Sequence, residues 1–386
     1  MSRGSRVLEL CGRYEHWRGR RIPLDGEELE AKYREMAESP QAFARGDLPC
    51  FMDHLARELP QLLEAPRVIC AGDLQPEAFG TWRDRAGRLV WGIDLLDEVD
   101  LLPYPADLLR LATQLTLRAS RGELGGDPEA ICEALWSGWR ERVELRRPRP
   151  FVLGPDHADL LDLHAPELRD PVNFGAEIAA LAAYERALPK AAARMLAAAS
   201  PEGGLRPELR RASLRGAARG ARRIIAVAEV DGGPLVREIR QIPGPLSMWS
   251  APRRVQIAGL AGAIDAARGV AAEPWRRQSR KWVVRGLDGS VSVTYLGPQL
   301  TDPLGLVAKL GAEAANLHLV PVPEAAAVKA LRRDAEARGG DWLAPAAAAM
   351  AENTNTDHRE LADALAAGPL GWSGGDAQDG EDPPRG

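Results

Sequence analysis

Three consecutive segments decide how this chain folds: GDLQPEAFG (Gly72–Gly80), LVWGIDLLDE (Leu89–Glu98) and PYPADLLRLA (Pro103–Ala112). The apolar runs Arg67–Ala71 and Leu89–Ile93 predict two short, buried strands. Asp73 follows the first strand, and Asp94 and Asp97 follow the second. Acids at the ends of two adjacent strands can face one polyphosphate and its metal ion, because Mg²⁺ prefers oxygen ligands.

The bulk composition leaves few classes of protein open. With 386 residues, 45% of them hydrophobic, the chain can bury a large core, and its length favours two lobes or domains. The net charge of -5 provides no basic field, so neither nucleic acid nor a membrane is expected as a partner. The four cysteines lack metal-ligand or redox spacing. With no apolar signal region and no long apolar stretch, a cytoplasmic protein is expected.

The first half of the chain has mainly helical periodicity. Helices are predicted at Gly26–Ala37, Pro49–Leu63, Ala106–Ser120, Pro128–Arg142 and Ala176–Ala199, the last of them broken near Pro189. The turn DRAG at positions 84–87 suggests that the two short strands around it form a hairpin.

After residue 200 the hydrophobic periodicity changes from mainly helical to strand-like. Strands are predicted at Arg223–Val230 and Leu235–Ile242, joined by the turn Asp231–Pro234. A second hairpin is predicted from Trp282–Arg285 and Ser290–Leu296. Helical spacing returns at Arg254–Val270, Leu304–Leu319 and Glu324–Arg338.

This order of elements predicts an α+β fold, mostly helical with a small antiparallel sheet. The breakers in SPEGGLRPELR (Ser200–Arg210) indicate a boundary between two lobes. We expect an N-terminal extension (1–40), a helical lobe (41–204), a strand-rich lobe (205–300), C-terminal helices (301–366) and a disordered tail (367–386).

The central stretch resembles a bacterial family known as domain of unknown function 2252. Its members carry patterns close to S-P-x-x-F-x-R-G, G-D-x-H-x-x-N-F-G, N-D-F-D-E and P-x-x-W-D-L-K-R-L-A. Here Ser39–Gly46 matches the first block, Gly72–Gly80 matches the second in part, and Asp97-Glu98 and Pro103–Ala112 match the last two. The clear resemblance spans roughly residues 30–140.

The second block is similar in turn to the catalytic loop of aminoglycoside- and choline-type phosphotransferases. That resemblance implies a protein-kinase-like two-lobed fold, circularly permuted because the strand-rich part follows the loop. It also implies ATP and Mg²⁺ as cofactors, with a nucleotide and an unknown acceptor as partners. Asp73 would position or deprotonate the acceptor hydroxyl, and Asp94 or Asp97 would hold the metal ion.

Several positions depart from the family pattern. Gln75 replaces the loop histidine, and its amide can still support the cofactor-binding loop. Ala78 replaces the loop asparagine, and Leu95 aligns with the first acid of N-D-F-D-E, so two metal ligands are lost. Arg237 stands where the phosphate-binding lysine is expected and keeps its charge on a bulkier planar group. Arg45 is a second candidate for contact with phosphate, or for pairing with a core acid.

Other polar residues have ordinary structural interpretations. Asp107 is expected to cap its helix or to pair with Arg110 one turn later. His157 and His164 fit an ordinary amphipathic helix, and His318 fits a hydrogen-bonded core histidine on an apolar helix.

Three functions are compatible with these patterns. The first is an ATP-dependent phosphotransferase acting on a small molecule or a protein hydroxyl, favoured by Asp73 and Asp97. The second is a catalytically inactive pseudokinase that binds a nucleotide or serves as a scaffold, favoured by Ala78 and Leu95. The third is a helical interaction protein without a nucleotide site, which an effect of ATP on stability would rule out.

Overall fold

The computed structural model describes residues 5–84, 86–198, 207–212, 218–230, 233–246, 249, 276–278, 281–320 and 326–371. Within these ranges the fold is α+β, mostly helical with small antiparallel sheets, as predicted. No helix in the described ranges is long and apolar enough to span a bilayer. The helix predicted at 254–270 and the tail after residue 371 lie outside the described residues.

Several of the described helices begin at residues whose side chains cap them. They are α1 (Arg6–Gly19), α2 (Gly26–Met36), α3 (Pro40–Ala44), α4 (Leu48–Glu58), α5 (Pro105–Ala119), α6 (Pro128–Glu144), α7 (Ala158–His164), α8 (Pro171–Ala179), α9 (Lys190–Ala197), α10 (Pro303–His318), α11 (Ala326–Arg338) and α12 (Leu343–Ala367). Side chains that accept a backbone N–H begin α2, α3, α6, α8 and α10, namely Asp25, Ser39, Asp127, Asp170 and Asp302. The helix predicted at 176–199 is interrupted more widely than expected, because α8 ends at Ala179 and α9 starts only after Pro189.

The strands form three antiparallel sheets within the described residues. They are β1 (Arg67–Cys70), β2 (Phe79–Arg83), β3 (Leu89–Ile93), β4 (Asp100–Pro103), β5 (Phe151–Val152), β6 (Glu208–Ala212), β7 (Arg223–Val230), β8 (Gly233–Gln241), β9 (Arg276–Gln278), β10 (Trp282–Leu287) and β11 (Ser292–Val293). The sheets have the orders β1-β4, β11-β2-β3-β5 and β6-β7-β8-β10-β9. The predicted hairpin of β7 and β8 is confirmed, with Val230 opposite Gly233.

Two predicted hairpins are wrong. β1 pairs with β4, where Cys70 lies opposite Asp100, and the partner of β3 across the turn at 84–87 is β2. β10 pairs with β8 and β9, whereas β11 pairs with β2 some 200 residues earlier in the chain. Both errors have one cause: the sequence identified strands locally, but which strand pairs with which depends on contacts distant in sequence.

The main hydrophobic core lies among β1, β4 and helices α5, α6 and α10. α5 is buried on nearly every side, which places it at the centre of this core. α6 and α10 approach closely because glycine lies at their crossing. A Cβ on Gly138 would lie 2.0 Å from the carbonyl oxygen of Ala308, and one on Gly311 would lie 2.1 Å from that of Leu135.

Side chains alternate along a strand, so the five-stranded sheet has two different faces: one is apolar, and the other carries charged residues beside a smaller apolar cluster. Ile224, Ile239 and Trp282 pack against α9 on the apolar face. Glu238 neighbours Ile239 in β8 and therefore points the other way. Its cross-strand partner Arg285 points to the same side. This charged face lies against the loop that follows β3.

The first 40 residues contribute more to the fold than the sequence suggested. Helix α1 was not predicted, yet its Val7, Leu10 and Cys11 pack against Tyr33, Met36 and Phe43 in a buried cluster. The predicted helix at Gly26–Ala37 is confirmed as α2.

Candidate functional site

The loop that carries Asp73 touches the loop that carries Asp94 and Asp97. Pairing of β1 with β4 brings the two together, and Gly72 makes the contact. Gly72 has a φ of +82°, and a Cβ there would lie 2.1 Å from the carbonyl oxygen of Glu98. Only glycine suits both this backbone conformation and this approach.

Asp73 is buried, with 7% of its surface exposed. Its Oδ1 accepts a hydrogen bond from Nε of Arg110 at 2.9 Å, and its Oδ2 accepts one from Nε2 of Gln75 at 2.6 Å. The prediction that Gln75 supports the loop agrees with this contact. Both carboxylate oxygens of Asp73 are therefore engaged by protein groups in this conformation.

Arg110 joins three elements in the core. Besides Asp73, it donates from Nη1 to Asp47 at 2.5 Å and from Nη2 to the carbonyl oxygen of Ala44 at 2.7 Å. Burial raises the pKa of Asp47 to about 6, although Arg110 opposes this shift. The predicted pairing of Arg110 with Asp107 is wrong, because the two acids that Arg110 meets come from other segments.

Asp107 instead holds the backbone in front of Asp73. Its carboxylate accepts the N–H groups of Ala71 at 2.7 Å and Gly72 at 3.0 Å, and Nε2 of His318 lies 3.3 Å away. The indole of Trp139 can only donate, and it does so to Nδ1 of His318 at 2.9 Å. The neutral ring of His318 thus carries its proton on Nε2 and donates to Asp107, as expected of a hydrogen-bonded core histidine.

Cys70, Asp107 and His318 place potential metal ligands within 4.8 Å of one another. The donor set does not fit a metal ion. Nε2 of His318 carries a proton, so it has no lone pair to offer. Burial, and then the charge of Asp107, raises the pKa of the Cys70 thiol well above its usual value. The group is better explained as an anchor for the Asp73 loop.

Asp94 faces the charged side of the five-stranded sheet. Nη1 of Arg285 donates to Asp94, while Nε of the same guanidinium donates to Glu238. Arg223 donates to the other oxygen of Glu238 at 2.5 Å. Burial raises the pKa of Glu238, but Arg285, Arg240 and Arg223 outweigh it and hold that pKa well below its ordinary value.

Asp97 meets a second arginine of the same sheet. Nη2 of Arg240 lies 3.1 Å from Oδ1 of Asp97, and its Nε lies 3.6 Å from Glu238. Arg237 was the predicted phosphate contact, but it alternates with Glu238 and so lies on the other face of β8. The arginines that meet the two predicted metal-binding acids are therefore Arg240 and Arg285.

Glu98 lies beside both loops. Its Oε2 accepts the N–H of Leu246 at 2.6 Å. Burial raises the pKa of Glu98 to about 8; the N–H of Leu246 opposes the shift, and the charges of Asp73 and Asp97 add to it. Burial and the charge of Glu98 also raise the pKa of Tyr14 in α1. α1 therefore lies close to this group of acids.

Arg45 pairs with Glu35 of α2, which is 30% exposed and is not the core acid that was predicted. Its Nη2 donates to Glu35 at 3.1 Å, and its carbonyl oxygen accepts from Nε2 of Gln75 at 3.3 Å. Arg219 donates to the other oxygen of Glu35 at 2.6 Å. Arg45 thus connects the Asp73 loop to α2 and, through it, to the strand-rich part.

The residues at the two positions that depart from the family's metal ligands have structural roles. Ala78 is 1% exposed, and its carbonyl oxygen accepts the N–H of Asp94 at 2.8 Å. Leu95 packs against the main core. Neither side chain offers an oxygen to a metal ion.

A cavity of about 720 Å³ lies away from Asp73, between the start of α2, residues 183–186 and residues 220–223. Acids and arginines line it in similar numbers, among them Asp25, Glu185, Arg186 and Arg222. Mixed charge of this kind identifies no class of ligand.

Sequence reasoning missed the partners of the acids, namely Arg110, Glu98, Glu238, Arg240 and Arg285. The period-2 pattern of β8 was a usable signal, because it places Glu238 and Arg240 on one face and Arg237 on the other. No local signal pointed to Arg285.

Comparison with known proteins supports the resemblance. Residues 24–198 match the family described as uncharacterized protein conserved in bacteria (DUF2252). The matched range includes the blocks at 39–46, 72–80 and 103–112. No curated protein and no solved structure matches the chain.

Proposed function

We propose that this chain is a catalytically inactive kinase-like protein that binds a phosphate-bearing ligand such as ATP without Mg²⁺. The observation that carries the proposal is that each predicted metal-binding acid is paired with an arginine. Asp94 is held by Arg285, and Asp97 lies 3.1 Å from Arg240.

The residues present do not fit a bound Mg²⁺. This ion requires near-octahedral oxygen ligands and gives up its waters reluctantly. Ala78 and Leu95 supply no oxygen from their side chains, and Asp94 and Asp97 would have to leave their arginines first.

Arginine is well suited to phosphate. Its planar guanidinium matches two phosphate oxygens at once and is always charged. A polyphosphate that displaced Asp94 or Asp97 from Arg285 or Arg240 would exchange one anionic partner for another. The ligand could therefore bind without a metal ion.

The architecture supports a kinase-like site. In protein kinases the phosphate-binding lysine lies on the third strand of the small lobe. β8 is the third strand, by chain order, of the five-stranded sheet and carries Arg240. Since this sheet follows the Asp73 loop in sequence, a kinase-like fold would be circularly permuted.

An active phosphotransferase remains a second candidate, because Asp73 is retained in its loop. Arg110 and the Asp107 anchor hold this carboxylate in place, as a residue that positions an acceptor hydroxyl would require. Transfer would still need charge neutralisation at the phosphate, which Arg240 and Arg285 could supply in place of a metal.

Thermal unfolding with ATP tests the proposal, once in EDTA and once in Mg²⁺ or Mn²⁺. Saturation at 100 times the Kd stabilises a native protein by about 2.7 kcal/mol, which gives a readable shift in Tm. We expect similar shifts with and without metal, and no ATP turnover above that of the Asp73→Asn variant. Turnover that Asp73→Asn abolishes would favour the second candidate.

Arg285→Lys is the matched test of the arginine. It keeps the charge but loses the planar fork, so the ATP-induced shift should shrink. Arg121→Lys alters the exposed pair of Arg121 with Glu123 and should leave the shift unchanged. No shift with any nucleotide in the parent protein would refute both kinase-like functions and leave the helical interaction protein.

A further inference from the structure

Helices α1 and α2 are joined by a buried group of charges. Glu15 accepts hydrogen bonds from Arg18 at 2.7 Å, from Lys32 at 2.6 Å and from the hydroxyl of Tyr33 at 2.9 Å. All four side chains are buried. Glu15 is the acceptor that these side chains share, so it links α1 to α2, and its loss would remove the negative charge beside Arg18 and Lys32.

Helices α1 and α2 together contact the turn at 218–221, which leads into β7. Nη2 of Arg18 donates to the carbonyl oxygens of Ala218 and Arg219, each at 3.0 Å. The N–H of Asp25 donates to the carbonyl oxygen of Gly220 at 2.9 Å. Gly220 has a φ of +94°, and a Cβ there would lie 2.7 Å from Leu29 of α2.

Partly buried ion pairs continue these contacts towards Asp73. Arg219 donates to Glu28 at 3.0 Å and to Glu35 at 2.6 Å. Glu35 also accepts from Arg45, whose carbonyl oxygen accepts from Gln75. A continuous set of contacts thus runs from the turn at 218–221 to the partner of Asp73.

The apolar side of α1 also contacts both parts of the molecule. Tyr14 and Trp17 form a buried cluster with Leu48 of α4 and with Leu246, which follows β8. Leu246 in turn donates its N–H to Glu98. α1 therefore lies beside the acids of the candidate site and joins them to the strand-rich part.

We propose that α1 and α2 form a strap that holds the strand-rich part closed over the Asp73 loop and shuts the candidate site. In this closed state Asp73 is buried and its oxygens are held by Arg110 and Gln75, and Gln75 is connected to the strap through Arg45. Release begins at Arg219, because this residue is 21% exposed, whereas Arg18 beneath it has no exposure.

Hydrogen exchange on the full-length chain tests the strap. Arg219→Gln removes the pairs with Glu28 and Glu35 and leaves the buried charges intact. We expect exchange in peptides covering both 218–224 and 70–78 to accelerate at least threefold. The matched control Arg332→Gln removes a pair with Glu144 on α6 and should change neither peptide.

Faster exchange at 218–224 alone, or no change in either peptide, would overturn the strap. Arg45→Gln provides a second variant that cuts the same set of contacts at its other end, and it should loosen the 70–78 peptide as well. Unchanged exchange at 70–78 in Arg45→Gln would also count against the strap.

A measurement of ATP binding provides a second test of the strap. It rests on the proposed function, and its failure can be told apart from failure of the strap. If ATP is the ligand, Arg219→Gln should lower the Kd for ATP at least threefold in EDTA, because a smaller fraction of the protein would be in the closed state that cannot bind it. A lower Kd supports the strap, and an unchanged Kd with measurable binding contradicts closure. Faster exchange in both peptides together with no ATP binding in either protein would uphold the strap and refute the proposed ligand.

Discussion

Replacing Asp107 by alanine is expected to cost more stability than any ordinary capping substitution. The carboxylate is 1% exposed and is the acceptor for the N–H groups of Ala71 and Gly72 and for His318. Each buried donor left without a partner costs roughly 1–3 kcal/mol. Three such donors give a loss of about 3–9 kcal/mol, against a total of about 5–15 kcal/mol for a typical protein.

Urea unfolding followed by tryptophan fluorescence measures this loss, and Asp127→Ala is the matched control. Asp127 also accepts a backbone N–H, from Ala130 at 2.8 Å, but at an exposed helix start. Its removal should cost about 1 kcal/mol. If Asp107→Ala does not fold, Asp107→Asn retains one acceptor oxygen and should show an intermediate loss. A cost for Asp107→Ala no greater than that for Asp127→Ala would refute its role as the anchor of the loop.

Three further predictions concern pH and packing. Burial lowers the pKa of His54, but hydrogen bonds to Asp357 and Glu58 outweigh it and raise that pKa above its ordinary value. The stability that His54 contributes is therefore complete below about pH 6.5 and is lost as pH rises through its pKa in the folded protein. The difference in stability between the parent protein and His54→Gln should narrow between about pH 6 and 9. Glu98, with its pKa raised to about 8, keeps its proton in the folded protein while the unfolded chain releases it near pH 4.3, so stability falls as pH rises between these values. Glu98→Gln should reduce this pH dependence of stability, measured by urea unfolding at several pH values. An unchanged dependence would contradict a raised pKa of Glu98. Gly138→Ala should cost at least about 1–3 kcal/mol in thermal unfolding because of its clash with α10, whereas Gly175→Ala, with open space around it, should not destabilise.

Local patterns were enough to predict many elements. The helix expected at Ala106–Ser120 occupies Pro105–Ala119, and the strand expected at Arg223–Val230 has those limits. Such segments are specified by hydrophobic periodicity and by the breakers beside them, so a single sequence suffices. The contact between the Asp73 loop and the loop after β3 was also anticipated, although through the wrong strand pairing.

Features that depend on distant partners were not predictable in the same way. Arg110 meets Asp47 and Asp73, which lie 63 and 37 positions before it. Helix α1 was not predicted because Glu15 and Arg18 look like surface residues, and their burial depends on each other and on partners distant in sequence, among them Lys32. No periodicity in one segment reveals a partner in another.

Isothermal titration of ATP, in EDTA and again in excess Mg²⁺, tests the central claim most directly. The claim is that Arg285 and Arg240 take the place of a metal ion at Asp94 and Asp97. The account predicts binding in EDTA with a Kd within about threefold of that in Mg²⁺, a difference of about 0.7 kcal/mol at most. Binding that appears only with Mg²⁺ would contradict it, because the two acids would then have left their arginines to hold the metal.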